Sequence, residues 1–458
     1  MSSRSITFAD DAESRSASRD WIVDVQNSTK QVNPSVEFEH WTTKSIYMVP
    51  PCIKRHNKAA YNPSIVSFGP YHYGDEQLVP MEEHKQRALL HFLKRANKPL
   101  ENFLGPLRDA LPTLTAAYDG LHQMWRDYGC ERFLKLMVMD GSFMLEILRF
   151  ATTNAGDYAP NDPVFSDHGM LYIVPYIKRD MLMMENQIPL LVLQKLVAVE
   201  TQDHDNDHLL QKNDKDINRL VQSFFSPHEY HPKTDLGLHA LDVRRKSMLK
   251  SQKKKKKKKK KKAPGAMLGS HGNRDTVIVR SATELHEAGV KLRKSRTDSL
   301  RDISFKHGVL DLPTIMVDDA TESMFLNMMA FERLHVGASN EVTSYVFFMD
   351  SIIDSPTDVS LLHWKKIIHN ALGSDKAVAK LFNSLSKDVT LDPDDVLDDI
   401  HRRVYKYCGK RWNKWRANLL HTYFRNPWTF MSIAAAIFLL GLTVLQTVYT
   451  LLPYYTQN

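Results

Sequence analysis

The sequence predicts a mainly α fold: a large helical domain with a small β element and a C-terminal transmembrane helix. Three observations carry that prediction. Apolar residues recur at the spacing of amphipathic helices along most of the chain, and only the stretch from Ile303 to Val317 alternates with a period of two. An uncharged apolar run then closes the chain, from Asn426 to Asn458. With 458 residues, 43% of them hydrophobic, there is enough apolar material for a sizeable core.

Taken in order, residues 1–20 are rich in Ser, Asp and Arg without apolar periodicity, which predicts a disordered tail. Residues 21–425 are expected to form a single large, mostly helical domain. In Met81–Arg95, Ala88, Leu89, Phe92 and Leu93 share one helical face while Glu82, Glu83, Lys85 and Arg87 fall elsewhere. Glu131–Phe150, Asp180–Val199 and Leu209–Phe225 carry the same period, and the first two are apolar enough to be central. Ser281-Ala282-Thr283-Glu284 is a capping-box pattern that should open a helix. Ile303 and Phe305, Leu310 and Leu312, and Ile315 and Val317 alternate with polar residues around Gly308 and Pro313, which predicts short strands joined by turns. Helices are predicted again over Thr321–Leu334, Val342–Asp354, Asp358–Leu372 and Ser374–Leu385. Asp392-Pro393 supplies a cap and a proline suited to the first helical turn. Val396, Ile400, Val404, Tyr407, Trp415 and Leu419 continue an apolar stripe from there to Asn426-Pro427.

The formal charge of +8 and a pI near 9.1 suggest an acidic partner until the charge is located. Ten lysines form the run Lys253–Lys262. Eight more cations, Arg402, Arg403, Lys406, Lys410, Arg411, Lys414, Arg416 and Arg425, follow one another without an intervening acid. With both groups set aside, the rest of the chain is acidic, at about −10. Nucleic acid is therefore an unlikely partner, whereas the two basic segments suit anionic lipid. The lysine run cannot bury itself and is read as a disordered low-complexity loop at about 251–273.

The closing run is expected to cross a bilayer as a helix over 428–452, followed by a short tail at 453–458. Trp428, Phe430, Ile433, Phe438, Leu439, Leu440, Leu442, Val444, Leu445, Val448 and Leu451 supply its apolar surface. About 20 residues at about 1.5 Å each cross the roughly 30 Å hydrocarbon core. Aromatics bracket the run, with Tyr423 and Phe424 before it and Tyr449, Tyr454 and Tyr455 at its far end. Its cations lie only on the amino-terminal flank, which the positive-inside rule places in the cytosol together with the body. The first residues contain no signal-peptide hydrophobic stretch, and Ser2 stands where myristoylation needs glycine. Cys52, Cys130 and Cys408 are scattered, as expected of thiols in a reducing compartment.

Candidate chemistry is sparse, and neither a cofactor nor a metal site is expected. His72 in Gly69-Pro70-Tyr71-His72-Tyr73-Gly74 could serve as an acid or base, but no nucleophile is paired with it, so a packed turn is preferred. His204 and His208, interleaved with Asp203, Asp205 and Asp207, read as a hydrated acidic helix start, and His228 and His231 lack zinc-site spacing. Asp140, Glu146, Asp180 and Glu185 adjoin strongly apolar runs, where an ionised carboxylate needs a partner. A structural polar network, with Arg149 and Arg179 close in sequence, is the preferred reading. A functional carboxylate site is the alternative.

Several ordered blocks then carry a resemblance. They include Ser45-Ile46-Tyr47-Met48-Val49-Pro50-Pro51, Val66-Ser67-Phe68-Gly69-Pro70-Tyr71-His72, Met139-Asp140-Gly141-Ser142-Phe143 and Arg179-Asp180-Met181-Leu182. Glu185-Asn186-Gln187-Ile188-Pro189, Ser281-Ala282-Thr283-Glu284-Leu285 and Asn426-Pro427-Trp428 follow. Over most of its length the chain resembles the plant family known as domain of unknown function 247. The lysine run, Ser142 in place of a frequent cysteine, and Met183 and Met184 in place of leucines depart from that pattern. The resemblance implies a membrane-attached plant protein of unassigned activity, some relatives of which look like components of pollen self-recognition, and it transfers no catalytic residue. The expected function is a non-enzymatic, membrane-anchored interaction or recognition protein whose partners are the lipid bilayer and another protein. The alternative is a tethered hydrolase or transferase that uses the buried carboxylates.

Overall fold

The computed structural model describes residues 21, 23, 25–29 and 33–456, apart from 56, 126–129, 154–156, 202–206, 227–234, 251–280, 388–395, 412, 414 and 417–426. The predicted tail at 1–20 and the lysine-rich loop lie outside the described residues. Helix Cys130–Thr153 is the axis of the amino-terminal half, burying Phe133, Leu134, Met137, Phe143 and Leu148 on successive faces. Around it pack Val79–Ala96, Leu100–Asp109, Leu190–Thr201 and Asp207–Phe225. Gly141 sits where Leu190–Thr201 crosses: a Cβ there would lie 2.6 Å from Val192 Cγ1 and 2.8 Å from Leu196 Cδ1. Only glycine permits that helix approach.

In the second half, Thr321–Leu334 packs on Glu341–Ile352, Asp375–Leu385 and Ala240–Met248, while Pro356–Trp364 lies on Asp375–Leu385. One contiguous core runs through both halves, from Ile46 to Cys408. Polar caps open three of the later helices, whereas Thr321–Leu334 and Glu341–Ile352 start without a side-chain cap bond. Ser281 accepts from Glu284 N at 3.4 Å and Ser374 from Ala377 N at 3.1 Å, and Ser355 and Asp358 form a reciprocal capping box.

The alternating stretch forms β2 (Ser304–Lys306), β3 (Val309–Leu312) and β4 (Ile315–Val317). Two further strands, β1 (Lys291–Lys294) and β5 (Ile368–Asn370), complete the sheets. The order β1-β3-β2 pairs Leu292 with Leu310 in parallel and Phe305 with Leu310 antiparallel. β4 and β5 form a separate parallel pair.

Two helix predictions are corrected. The helix expected from Asp180 begins only at Leu190, because helix Val174–Asp180 ends there and Met181–Pro189 runs through turns. Pro189 explains part of this, since a proline disfavours helical geometry in the residue before it. The helix expected over Asp358–Leu372 stops at Trp364, where Lys366 takes a left-handed conformation, φ 59°, and Ile368 enters β5. The expected helix up to Asn426 is interrupted as well. Val396–Cys408 ends in a turn at Gly409 and Lys410, and helical residues resume at Arg411.

The last helix, Pro427–Thr456, holds one candidate membrane span, Met431–Leu452, whose 22 residues have a mean hydropathy of 2.0 and bury nothing against the body. Thr443 and Thr447 donate their hydroxyls to the carbonyls of Leu439 and Thr443, each at 2.8 Å. These threonine hydroxyls are thus satisfied within the helix.

Candidate functional site

Asp140, Asp180 and Glu185 converge on one structure: the amino-terminal segment 46–72, largely irregular with short helical turns at Pro51–Lys54 and Lys58–Ala60, which they fasten to the core. Asp140, fully buried, accepts Lys85 Nζ on one oxygen at 2.7 Å and Gly69 N on the other at 2.7 Å. Lys85 is equally buried and also reaches Ser67 Oγ at 3.1 Å and Glu82 Oε1 at 2.6 Å. Burial pushes the Asp140 carboxyl up to about 6, with Lys85 and the Gly69 amide opposing that rise.

Asp180 accepts backbone amides from Ser64, Ile65 and Val66 at 2.8–3.1 Å. Burial raises its pKa, and those amides hold the rise back. Glu185 accepts Val49 N at 2.5 Å and Lys54 Nζ at 2.6 Å, with His72 Nε2 3.4 Å away. Burial pushes the Glu185 carboxyl up, but His72, Lys54 and the Val49 amide outweigh it, and the group lies below its usual value.

The turn after Glu185 continues the same work. Asn186 accepts Phe68 N at 2.7 Å and donates to the Val66 and Asp180 carbonyls, both at 3.0 Å. Gln187 donates to the Met181 and Met183 carbonyls, both at 2.7 Å, and its own carbonyl accepts Tyr118 Oη at 3.0 Å. The backbone amides so engaged, those of residues 49, 64–66, 68 and 69, lie outside the helices and strands, and buried amides must be satisfied.

Glu146 stands apart from these three. Its carboxylate pairs with Arg95 and accepts Tyr158 Oη at 2.6 Å. Of the two arginines expected to serve the network, Arg149 instead pairs with Glu200 at 2.5 Å, whereas Arg179 does hold the same segment, donating to the Ala59 carbonyl at 2.7 Å and to Ser64 Oγ at 3.2 Å. His72 lies between Asp75 Oδ2, 3.0 Å from its Nδ1, and Glu185. Around it are carboxylates rather than a hydroxyl or thiol nucleophile. His204, His228 and His231 lie outside the described residues, and among the described residues no three metal-binding side chains come together.

Lys85 was placed on the polar side of its helix by its charge alone. Its spacing told otherwise: Met81, Lys85, Ala88 and Phe92 follow the i, i+4, i+7, i+11 rhythm of one face, and all four are buried. Outside the network, the basic flank is surface. Arg402, Arg403, Lys406, Lys410, Arg411 and Arg416 are exposed, while Lys414 and Arg425 lie outside the described residues. Along the apolar helix Phe438, Leu439, Leu440, Leu442, Val444, Leu445, Val448 and Leu451 are exposed and Ile433 half-buried. The side chains of Trp428 and Phe430 lie outside the described set.

A family model described as a plant protein of unknown function, DUF247, matches residues 46–442. The chain belongs to this family. This DUF247 protein is similar to UPF0481 protein At3g47200 of Arabidopsis thaliana, 32% identical over 89% of this chain and 86% of the relative. It is also similar to the putative UPF0481 protein At3g02645 of the same plant, 24% identical over 93% of each chain. No solved structure matches. The matched range opens at Ile46, the first residue of the segment that the carboxylates fasten, and closes inside the apolar helix. Both the network and most of the candidate span therefore belong to the DUF247 unit.

Proposed function

We propose that this DUF247 protein is a membrane-tethered interaction protein without catalytic chemistry of its own, its body on the cytosolic side. The observation that carries the reading is the Met431–Leu452 helix, long and apolar enough to cross a bilayer and covered by nothing in the body. Left in water, that much contiguous apolar surface is strongly unfavourable, and monomeric soluble proteins rarely expose it. The basic residues on its amino-terminal side support the cytosolic orientation.

The carboxylate network supports the non-enzymatic half of the proposal. A general acid or base must come within hydrogen-bond reach of a substrate proton. Asp140 and Asp180 are fully buried, and each already receives backbone or lysine donors. Such engaged groups hold chain segments together, which favours a structural role for them over that of the acid in a tethered hydrolase or transferase. A recognition or signalling role, in which the body offers its surface to a protein partner, then follows as the use of the tether.

Proximity labelling from the intact chain tests this. A labelling enzyme fused to the full-length protein should mark a set of cytosolic proteins that a control carrying only residues 396–458 does not mark. Identical labelling by the two would remove the interaction role from the body.

A further inference from the structure

Three separate segments of the body meet on one face, and two of them bring cations to it. The first segment is the Val396–Cys408 helix with the turn that follows it. Ile400, Val404 and Cys408 are buried, whereas Arg402, Tyr405 and Lys406, and then Lys410, Arg411, Trp415 and Arg416, are exposed. This segment is fastened to the β1-β3-β2 sheet. Tyr407 meets the Phe305 ring at 5.6 Å, Arg403 Nη1 donates to the Phe305 carbonyl at 3.3 Å, and Asn413 Nδ2 donates to the Tyr407 carbonyl at 2.8 Å.

The second segment is the turn that follows helix Ala282–Glu287. A Cβ built on Gly289 would lie 3.0 Å from Arg416 Nη1, so the turn and Arg416 are in contact. That helix also packs on helix Pro356–Trp364, where Thr283 N donates to Asp358 Oδ1 at 2.8 Å, and this contact places the third segment beside the other two. That third segment is Trp364-Lys365-Lys366, with Trp364 73% exposed and Lys365 Nζ 4.3 Å from its ring centroid. Lys366, exposed, adopts the left-handed conformation that favours glycine. A cation thus occupies a position where backbone geometry alone would select a small residue. Acids also stand on these segments, Glu284 and Glu287 on the helix and Asp399 paired with Arg403 at 3.2 Å.

We propose that this face docks on the bilayer, with Lys365, Lys366, Arg411 and Arg416 against anionic lipid headgroups and Trp364 and Trp415 at the headgroup level. The inference deepens the anchor reading and rests on it. Three features identify a lipid surface as the partner. The patch pairs cations with exposed tryptophans, the composition found where a protein meets the water–lipid boundary. It spans separated segments and offers a broad charged surface instead of a pocket for one small anion. It is also continuous with the candidate span. Ten residues, 417–426, separate Arg416 from Pro427, a reach of at most about 35 Å even when fully extended, so the face stays close to whatever membrane the helix crosses. Of the docking residues, Arg411, Trp415 and Arg416 belong to the basic stretch visible in the sequence near the span; Trp364, Lys365 and Lys366 are brought there by the fold.

The full chain reconstituted in nanodiscs, with phosphatidylcholine alone or mixed with phosphatidylserine and carrying a headgroup-level spin-labelled lipid as quencher, tests this. Tryptophan quenching is expected to rise roughly twofold when phosphatidylserine is present, because each nearby cation adds attraction to the anionic surface. The rise should disappear in Trp364→Phe/Trp415→Phe, in Lys365→Glu/Lys366→Glu/Arg416→Glu, and for the unaltered chain in about 1 M salt, where the screening length is about 3 Å. Equal quenching in the two lipids, or a rise that survives charge reversal or salt, overturns docking while the anchor stands. The salt and lipid comparisons use the unaltered chain, so a charge-reversed variant that unfolds does not decide the matter. A chain washed out of the nanodiscs by alkali would instead overturn the anchor itself, and docking with it.

Discussion

Lys85→Met is expected to destabilise the body by about 3–5 kcal/mol at neutral pH, the cost of removing one member of a buried ion pair. Both partners are fully buried, and Asp140 keeps only the Gly69 amide once the ammonium is gone. The penalty should depend on pH with a definite sign. Burial already holds the native Asp140 value at about 6, above the 3.8 of an unperturbed aspartate, and loss of Lys85 raises it further. A native pKa above the unfolded one means that the folded chain holds the proton more tightly. Stability of the variant must therefore fall as pH rises from the unfolded value through the native one. Thermal unfolding of the detergent-solubilised chain at pH 5 and pH 8 checks this: the deficit relative to wild type should be larger at pH 8. Lys85→Met/Asp140→Asn should recover most of the loss, because the amide oxygen still accepts Gly69 N and the one carboxylate left without Lys85, that of Glu82, is partly exposed to water. A deficit that is pH-independent and unchanged in the double variant would mean that Lys85 matters only for packing.

Gly69→Ala is expected to cost about 3 kcal/mol or more, from two additive causes. The backbone there has φ +76°, which an L-residue adopts only at a penalty. A Cβ would also lie 2.5 Å from the Gln187 carbonyl and 2.9 Å from Tyr118 Oη. Neither neighbour can yield cheaply, since Gln187 O is backbone and the Tyr118 hydroxyl is itself bonded to it at 3.0 Å. Displacing Gly69 would also withdraw its amide from Asp140, so this substitution and Lys85→Met damage the same network. Their effects on the melting temperature should combine non-additively, as neighbours in one network do. A variant as stable as wild type would show that segment 46–72 is not held by this register.

Much of the fold was legible because long apolar periods are insensitive to local detail. Cys130–Thr153 and Thr321–Leu334 follow directly from such periods. What escaped depended on partners far away in the chain. β5 has three residues and exists because β4 lies beside it, so its Ile367-Ile368 run read as the end of a helix. Segment 181–189 read as helix by its apolar content, while Glu185 and Asn186 use their side chains to replace backbone partners for residues 49, 66 and 68, and Gln187 does so for residues 181 and 183. The four carboxylates could be selected as needing partners, since buried charge always does. Which partners they would find could not be read, and Lys85 was hidden by the expectation that lysine faces water. The basic face was half visible for the same reason: the run near the span is local, and Lys365 reaches it only through folding.

The central claim is that Met431–Leu452 holds this body in a membrane, and alkaline carbonate extraction of membranes containing the full chain tests it most directly. The intact protein should stay in the membrane pellet, and Leu440→Arg/Leu445→Arg should move a substantial fraction to the supernatant, each arginine near mid-span costing about 2.5–3.5 kcal/mol of insertion. Release of the intact chain by the alkaline wash, to the same extent as the variant, would contradict the account.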